Sequence, residues 1–155
     1  MKQLSYKTLR EMNFDGYLLP EGKECVLQFG EGNFLRAFVD YFFDLANERV
    51  GFGGKVVVFQ PIRAELNEQD GLYTVYLRGL EGGREVVEKR VVSSISKVYN
   101  PYEHYDVLMQ YAASPDIHFV VSNTTEAGIA YDPACRFEDK PAETFPGKVT
   151  QLLYE

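Results

Sequence analysis

Apolar residues recur along this chain at two periods, and each change of period marks a new element. Cys25-Val26-Leu27-Gln28-Phe29 is a short apolar run closed by Gly30, with the length and composition of a strand covered on both faces. From Asn33 the apolar positions Phe34, Ala37, Phe38, Tyr41, Phe42 and Leu45 fall at helical spacing. They predict a helix with that face inward, stopped by Gly51 to Gly54. Lys55-Val56-Val57-Val58-Phe59-Gln60 is a second buried-type strand, halted by Pro61. Strand, glycine turn, helix and strand together read as one βαβ unit.

Beyond it, Tyr73 to Arg78 and Glu85 to Val92 are β-rich runs joined by a turn holding Gly82-Gly83, which predicts an antiparallel hairpin inserted outside the parallel core. Asn100-Pro101 predicts a helix start, with Tyr105, Leu108, Met109 and Ala112 as its apolar stripe and Ser114-Pro115-Asp116 as its end. Ile117 to Ser122 is a third buried-type strand. Residues 131 to 144 carry prolines and many charges and read as an irregular loop. A last helix is expected near Pro146-Gly147-Lys148, with Val149, Leu152 and Leu153 on one face. Only a little over two turns remain for it, short for a helix without caps. The chain is therefore expected to be one domain of a longer protein, with self-association through the apolar patch left at that face. The organisation expected is a lead-in over residues 1–23 and one α/β domain over 24–155, with a doubly wound, mainly parallel sheet and an inserted hairpin.

Composition narrows the function. A chain of 155 residues with 45% hydrophobic content buries one ordinary core. A net charge of -7 and a pI near 4.9 repel nucleic acid and anionic lipid, so neither is an expected partner. A phosphate held by backbone N–H groups at a helix N-terminus is compatible with that charge, because those groups act locally. Cys25 and Cys135 lie far apart without CxxC spacing, which suggests neither a disulfide framework nor a metal site, and Cys25 reads as a core thiol. The first residues have no apolar leader pattern, and no run of 18 apolar residues occurs in the sequence. A cytoplasmic enzyme, or part of one, is the expectation.

The chemistry concentrates at Gly30-Glu31-Gly32-Asn33-Phe34-Leu35-Arg36, between strand and helix, where a dinucleotide-binding turn belongs. Gly30 allows the tight turn, Gly32 lets backbone approach a pyrophosphate, and the helix beginning near Asn33 points N–H groups at it. Leu35 stands where the third small residue of that pattern is usual. Arg36 sits in the first helical turn, unfavourable for a cation unless an anion lies near, either a ligand or the carboxylates of Glu31 or Asp40. At the tip of the second strand Gln60 replaces the acid that contacts a ribose in NAD sites, with Arg63 close by, so spacing leaves the cofactor open. His104 and His118 lack the orienting partner a general base needs and read as structural. Asn123-Thr124-Thr125-Glu126 follows a strand end. Glu126 is either a functional carboxylate or a first-turn residue of a helix capped by Thr124 or Thr125.

Three stretches in order, Leu27 to Phe38, Val58-Phe59-Gln60-Pro61-Ile62 and Val121 to Ile129, resemble the N-terminal Rossmann domain of the mannitol dehydrogenase family. Phe34 and Arg36 match the hallmarks of that family's GxGxFxRA turn. The resemblance implies metal-independent hydride transfer between NAD(H) and a small sugar acid, here D-tagaturonate and D-altronate. It also implies cofactor contacts from Gly30, Gly32, Asn33, Phe34, Arg36, Gln60, Asn123, Thr124 and Glu126. The family's general acid/base Lys lies in a helical C-terminal domain outside this sequence. No catalytic residue is expected here, and the chain alone is expected to be inactive. A fructuronate or mannitol-type reductase of the same family, or a nucleotide-binding module without chemistry, are the alternatives.

Overall fold

The computed structural model describes residues 3–61, 65–123, 132–136, 138 and 147 of the chain. Contacts divide it into two units, Met1–Ser122 and Asn123–Glu155. The sheet, its helices, among them a short N-terminal α1 (Tyr6–Glu11), and the hairpin all lie in the first unit. Of the second, the described residues include a short turn in which the Asp132 carboxylate accepts from the Ala134 N–H. The loop expected over residues 131 to 144 and the last helix with Val149, Leu152 and Leu153 lie wholly or largely outside the described residues.

The two continuous apolar runs form strands β1 (Lys23–Phe29) and β2 (Gly54–Phe59), paired in parallel from Lys23↔Gly54 to Phe29↔Phe59. Val26, Val56, Val57 and Val58 have no exposed surface, as a strand covered on both faces requires. Between them, an α-turn Asn33–Leu35, a π-turn Arg36–Asp40 and an α-helix Tyr41–Val50 run on as one helical segment, α2. Gly51, in the left-handed conformation at φ 66, ends it. The hairpin comprises β3 (Tyr73–Glu81) and β4 (Arg84–Val92), antiparallel about Gly82-Gly83, and forms its own two-stranded sheet as expected.

Strand β5 (Ile95–Tyr99) was not legible in the sequence pattern. It follows the hairpin directly and pairs in parallel with β2, so the hairpin is an insertion between β2 and β5. Helix α3 (Tyr105–Ala112) starts four residues later than Pro101 suggests, because Pro101–Glu103 forms a separate turn. It buries Leu108, with Val107 and Tyr111 partly buried, whereas Tyr105 and Ala112 are exposed. Strand β6 (Phe119–Ser122) pairs with the other edge of β1. The parallel sheet therefore has the order β5-β2-β1-β6. Succession along the chain reverses direction at β1, the switch point at which open α/β sheets bind ligands. Contrary to the buried character expected of it, β6 exposes 67% of Val120, because it is the sheet's edge among the described residues.

The largest correction concerns α2. Phe34, Phe38 and Phe42 stand more than half exposed, while Leu35, Asp40, Tyr41, Asp44 and Asn47 are buried. The inward positions Leu35, Asp40, Asp44 and Asn47 are spaced by five, four and three residues. The five-residue step spans the π-turn, which shifts the phase of the helix against its apolar pattern. Polar groups can face inward because most find partners. Asn47 exchanges two hydrogen bonds with the backbone of Gly54. Asp44 accepts from the Ser93 N–H and hydroxyl and from Arg90, which docks the hairpin against the helix.

Candidate functional site at the carboxyl edge of the sheet

The parallel strands end level with one another, Phe29 opposite Phe59 and Ser122, and Phe59 opposite Tyr99. Gly30 and Gln60 follow the two central strands. Gly30 has φ +90, a conformation that costs any residue with a Cβ, and its N–H donates to Phe59 O at 2.9 Å. The turn is thereby tied to the tip of β2. Gly32 is different: its φ of -55 and ψ of 159 suit any residue, and a Cβ built on it meets no atom within 4 Å. The fold itself does not require glycine at 32. Open space beside a helix start, where the Arg36 N–H bonds to Gly32 O and the first N–H groups of a helix have no partner within it, fits an approaching phosphate.

Asn33 and Arg36 act together, the Arg36 Nη2 donating to Asn33 Oδ1 at 2.8 Å while its guanidinium lies 5.7 Å from the Tyr73 ring centre. Of the two alternatives for Arg36, neither Glu31 nor Asp40 is its hydrogen-bond partner. Its charge does favour the ionised form of both carboxyls. Phe34 stacks on Phe38 at 5.1 Å and stands 57% exposed beside the turn. Gln60 is buried, and its side chain reaches back to hydrogen-bond Glu31. Burial pushes the Glu31 carboxyl up from its ordinary value, partly offset by Gln60 and Arg36.

Beneath the turn lies a pair the sequence pattern did not reveal. Gln28, wholly buried in β1, donates through Nε2 to Gly30 O at 3.0 Å and to Asp40 Oδ2 at 3.2 Å. Burial pushes the Asp40 carboxyl up to about 7. A polar Gln within an apolar strand, and an Asp on the helix packed over it, were the available signals. Tyr73, the first residue of β3, donates its hydroxyl to Arg36 O at 2.8 Å. That carbonyl begins the π-turn, and replacing Tyr73 by Phe leaves it without this donor. Tyr73→Phe is expected to lower stability by about 1 kcal/mol, read by urea denaturation; an unchanged midpoint would remove Tyr73 from the support of the turn.

Asn123 is exposed and follows β6 directly. Thr124 and Glu126, like Arg63, lie outside the described residues. His118 sits just before β6, where its N–H donates to Cys25 O, and the His104 ring packs edge-on against Tyr99. Cys25 is a buried free thiol. Among the described residues, no cluster of three or more His, Cys, Asp or Glu could hold a metal, and no helix is long and apolar enough to cross a membrane.

Comparison with known proteins agrees with this geometry. Residues 24–155 match the family model described as the mannitol dehydrogenase Rossmann domain. An altronate oxidoreductase from Phocaeicola vulgatus is 47% identical over 150 residues, 94% of this chain and 31% of that protein. One from Bacteroides thetaiotaomicron is 51% identical over 135 residues, 84% of this chain and 28% of that protein. The chain thus spans under a third of the length of these curated relatives. Among solved structures, mannitol 2-dehydrogenase of Pseudomonas fluorescens in ternary complex with NAD and D-mannitol superposes with a TM-score of 0.66 at 26% identity, covering 82% of this chain and 27% of that one. Substrate-free D-sorbitol dehydrogenase shares the fold, with a TM-score of 0.69 at 18% identity over 98% of this chain and 36% of that one.

Proposed function

Because the chain belongs to the mannitol dehydrogenase family through its Rossmann domain, we propose that residues 24–155, after a lead-in over 1–23, bind NAD(H) for an oxidoreductase interconverting D-tagaturonate and D-altronate. The substrate pair rests on the altronate oxidoreductases at 47% and 51% identity. The cofactor rests on the family and on the NAD complex of the mannitol dehydrogenase. One observation of the chain's own geometry carries the site: the open space at Gly32, beside a helix start, at the carboxyl edge of the switch-point strand.

In this reading the turn Gly30 to Asn33 takes the pyrophosphate on backbone N–H groups. Arg36, held by Asn33, adds positive charge beside it. Phe34 gives the cofactor an apolar wall, and Gln60 lies at the adenosine side. Asn123, Thr124 and Glu126, after β6, serve the nicotinamide side. NAD supplies the hydride acceptor, and the sugar acid's proton-transfer group comes from outside these residues. Such a protein works in the cytoplasm, takes a small-molecule partner, and needs neither nucleic acid nor a membrane. Self-association involving Val149, Leu152 and Leu153 belongs to the same proposal.

Calorimetric titration of the chain with NADH and NADPH in parallel tests it. Saturable one-to-one NADH binding is expected, and no heat with either cofactor would sink the reading.

A further inference from the structure

We propose that Glu31, within the glycine turn, is the residue that selects NAD(H) over NADP(H) by accepting a hydrogen bond from the adenosine ribose 2′-hydroxyl. This rests on the reading that the turn holds the dinucleotide. In such folds the ribose lies over the tip of the second parallel strand, and an acid at that tip normally takes the hydroxyl and repels a 2′-phosphate. Here the tip carries Gln60, a neutral amide.

Glu31 supplies the missing carboxylate from the other side. The bond from Gly30 N–H to Phe59 O holds the turn against the strand tip, and Gln60 hydrogen-bonds the Glu31 side chain toward that tip. The second carboxylate oxygen, Oε2, is buried and without a partner among the described residues. A buried acceptor left unmatched is costly, and a ribose hydroxyl is a donor of the right kind to match it. A 2′-phosphate brings only acceptors and negative charge to the same place, where burial weakens the screening of like charges. Glu65 adds negative charge from the side of β2, while Arg36 faces Glu31 from α2 as a partial counter-charge. The carboxylate and the turn thus act as one discriminating unit, with Gln60 as the positioning residue that aims it.

The test compares dissociation constants for NADH and NADPH in the parent chain, in Glu31→Gln and in Glu31→Ser. Glu31→Gln keeps the size of the side chain and its bond to Gln60 while removing the charge. Glu31→Ser removes both and repeats the test if the first variant folds poorly. The expected result is a fall of about tenfold or more in the preference for NADH, from weaker NADH and tighter NADPH binding together. Glu65→Gln, which removes only a more distant charge, is expected to lower the preference by less than either Glu31 variant. A parent that binds NADH with a preference unaltered in both Glu31 variants overturns this inference and leaves the proposed function standing. A parent that binds neither cofactor overturns both.

Discussion

Gly32→Asp is expected to weaken NADH binding by about a hundredfold or more, a loss of roughly 2.7 kcal/mol, without weakening the fold. The two halves of that expectation come from separate observations. Backbone angles at Gly32 suit any residue and its Cβ position is open, so the chain accommodates the substitution. Gly32 is also the residue capping the start of α2, where Asp is among the favoured residues and its charge complements the helix dipole. Folding stability should therefore hold or rise slightly. The same carboxylate occupies the volume through which a pyrophosphate reaches the N–H groups, and repels it. Gly32→Ala, which fills part of that volume without charge, should fall between. Parallel calorimetric titrations and thermal melts check both halves. An unchanged NADH affinity in the Asp variant would take the turn out of the cofactor site.

The contrast between the two glycines shows what a sequence can and cannot convey. The strand-glycine-helix order around Gly30 was legible because continuous apolar runs and a change of period are local signals. The hairpin was legible for the same reason, its two β-rich runs flanking Gly82-Gly83. Strand β5 was not, because Ser93, Ser94, Ser96 and Lys97 interrupt Ile95 and Val98 and hide a buried edge within polar residues. The inward face of α2 was misjudged because hydrophobic periodicity assumes that polar residues seek water. Asp44 and Asn47 instead find partners in Ser93, Arg90 and Gly54, and the π-turn shifts the phase between Leu35 and Asp40. The Gly30 to Arg36 turn follows the end of β1 and Gln60 the end of β2, positions that the order of elements in the sequence already indicates. The contact of Glu31 with Gln60 is a tertiary one across 29 positions, with no local signature.

Asp40→Asn is expected to stabilise the protein at neutral and higher pH, by an amount that disappears in mild acid. An ordinary aspartate titrates near 3.8, and burial raises Asp40 to about 7 in the folded chain. The folded state therefore binds this proton more tightly than the unfolded state. Its stability is undiminished below the unfolded value, falls as pH rises from about 4 toward about 7, and stays lowered above that. Around Asp40 the charges are mixed, Arg36 favouring ionisation and Glu31 opposing it, with the Tyr73 hydroxyl close enough to feel the carboxylate. The hydrogen bonding points the same way. Gln28 Nε2 donates to Asp40 Oδ2, while Gln28 Oε1 and Asp40 Oδ1 are both buried without partners among the described residues. An ionised carboxylate has no proton to donate, whereas the Asn amide can still accept from Gln28 Nε2, brings N–H donors and carries no charge. By the free energy of a pKa difference, the gain should reach roughly 2 to 4 kcal/mol at about pH 8 and shrink toward zero near pH 4. Because Gln28 also holds Gly30 O, the variant should keep the turn in place and leave NADH binding intact. Urea denaturation of parent and variant at about pH 5 and about pH 8 reads the effect, and an equal difference at the two pH values would show that Asp40 stays ionised throughout.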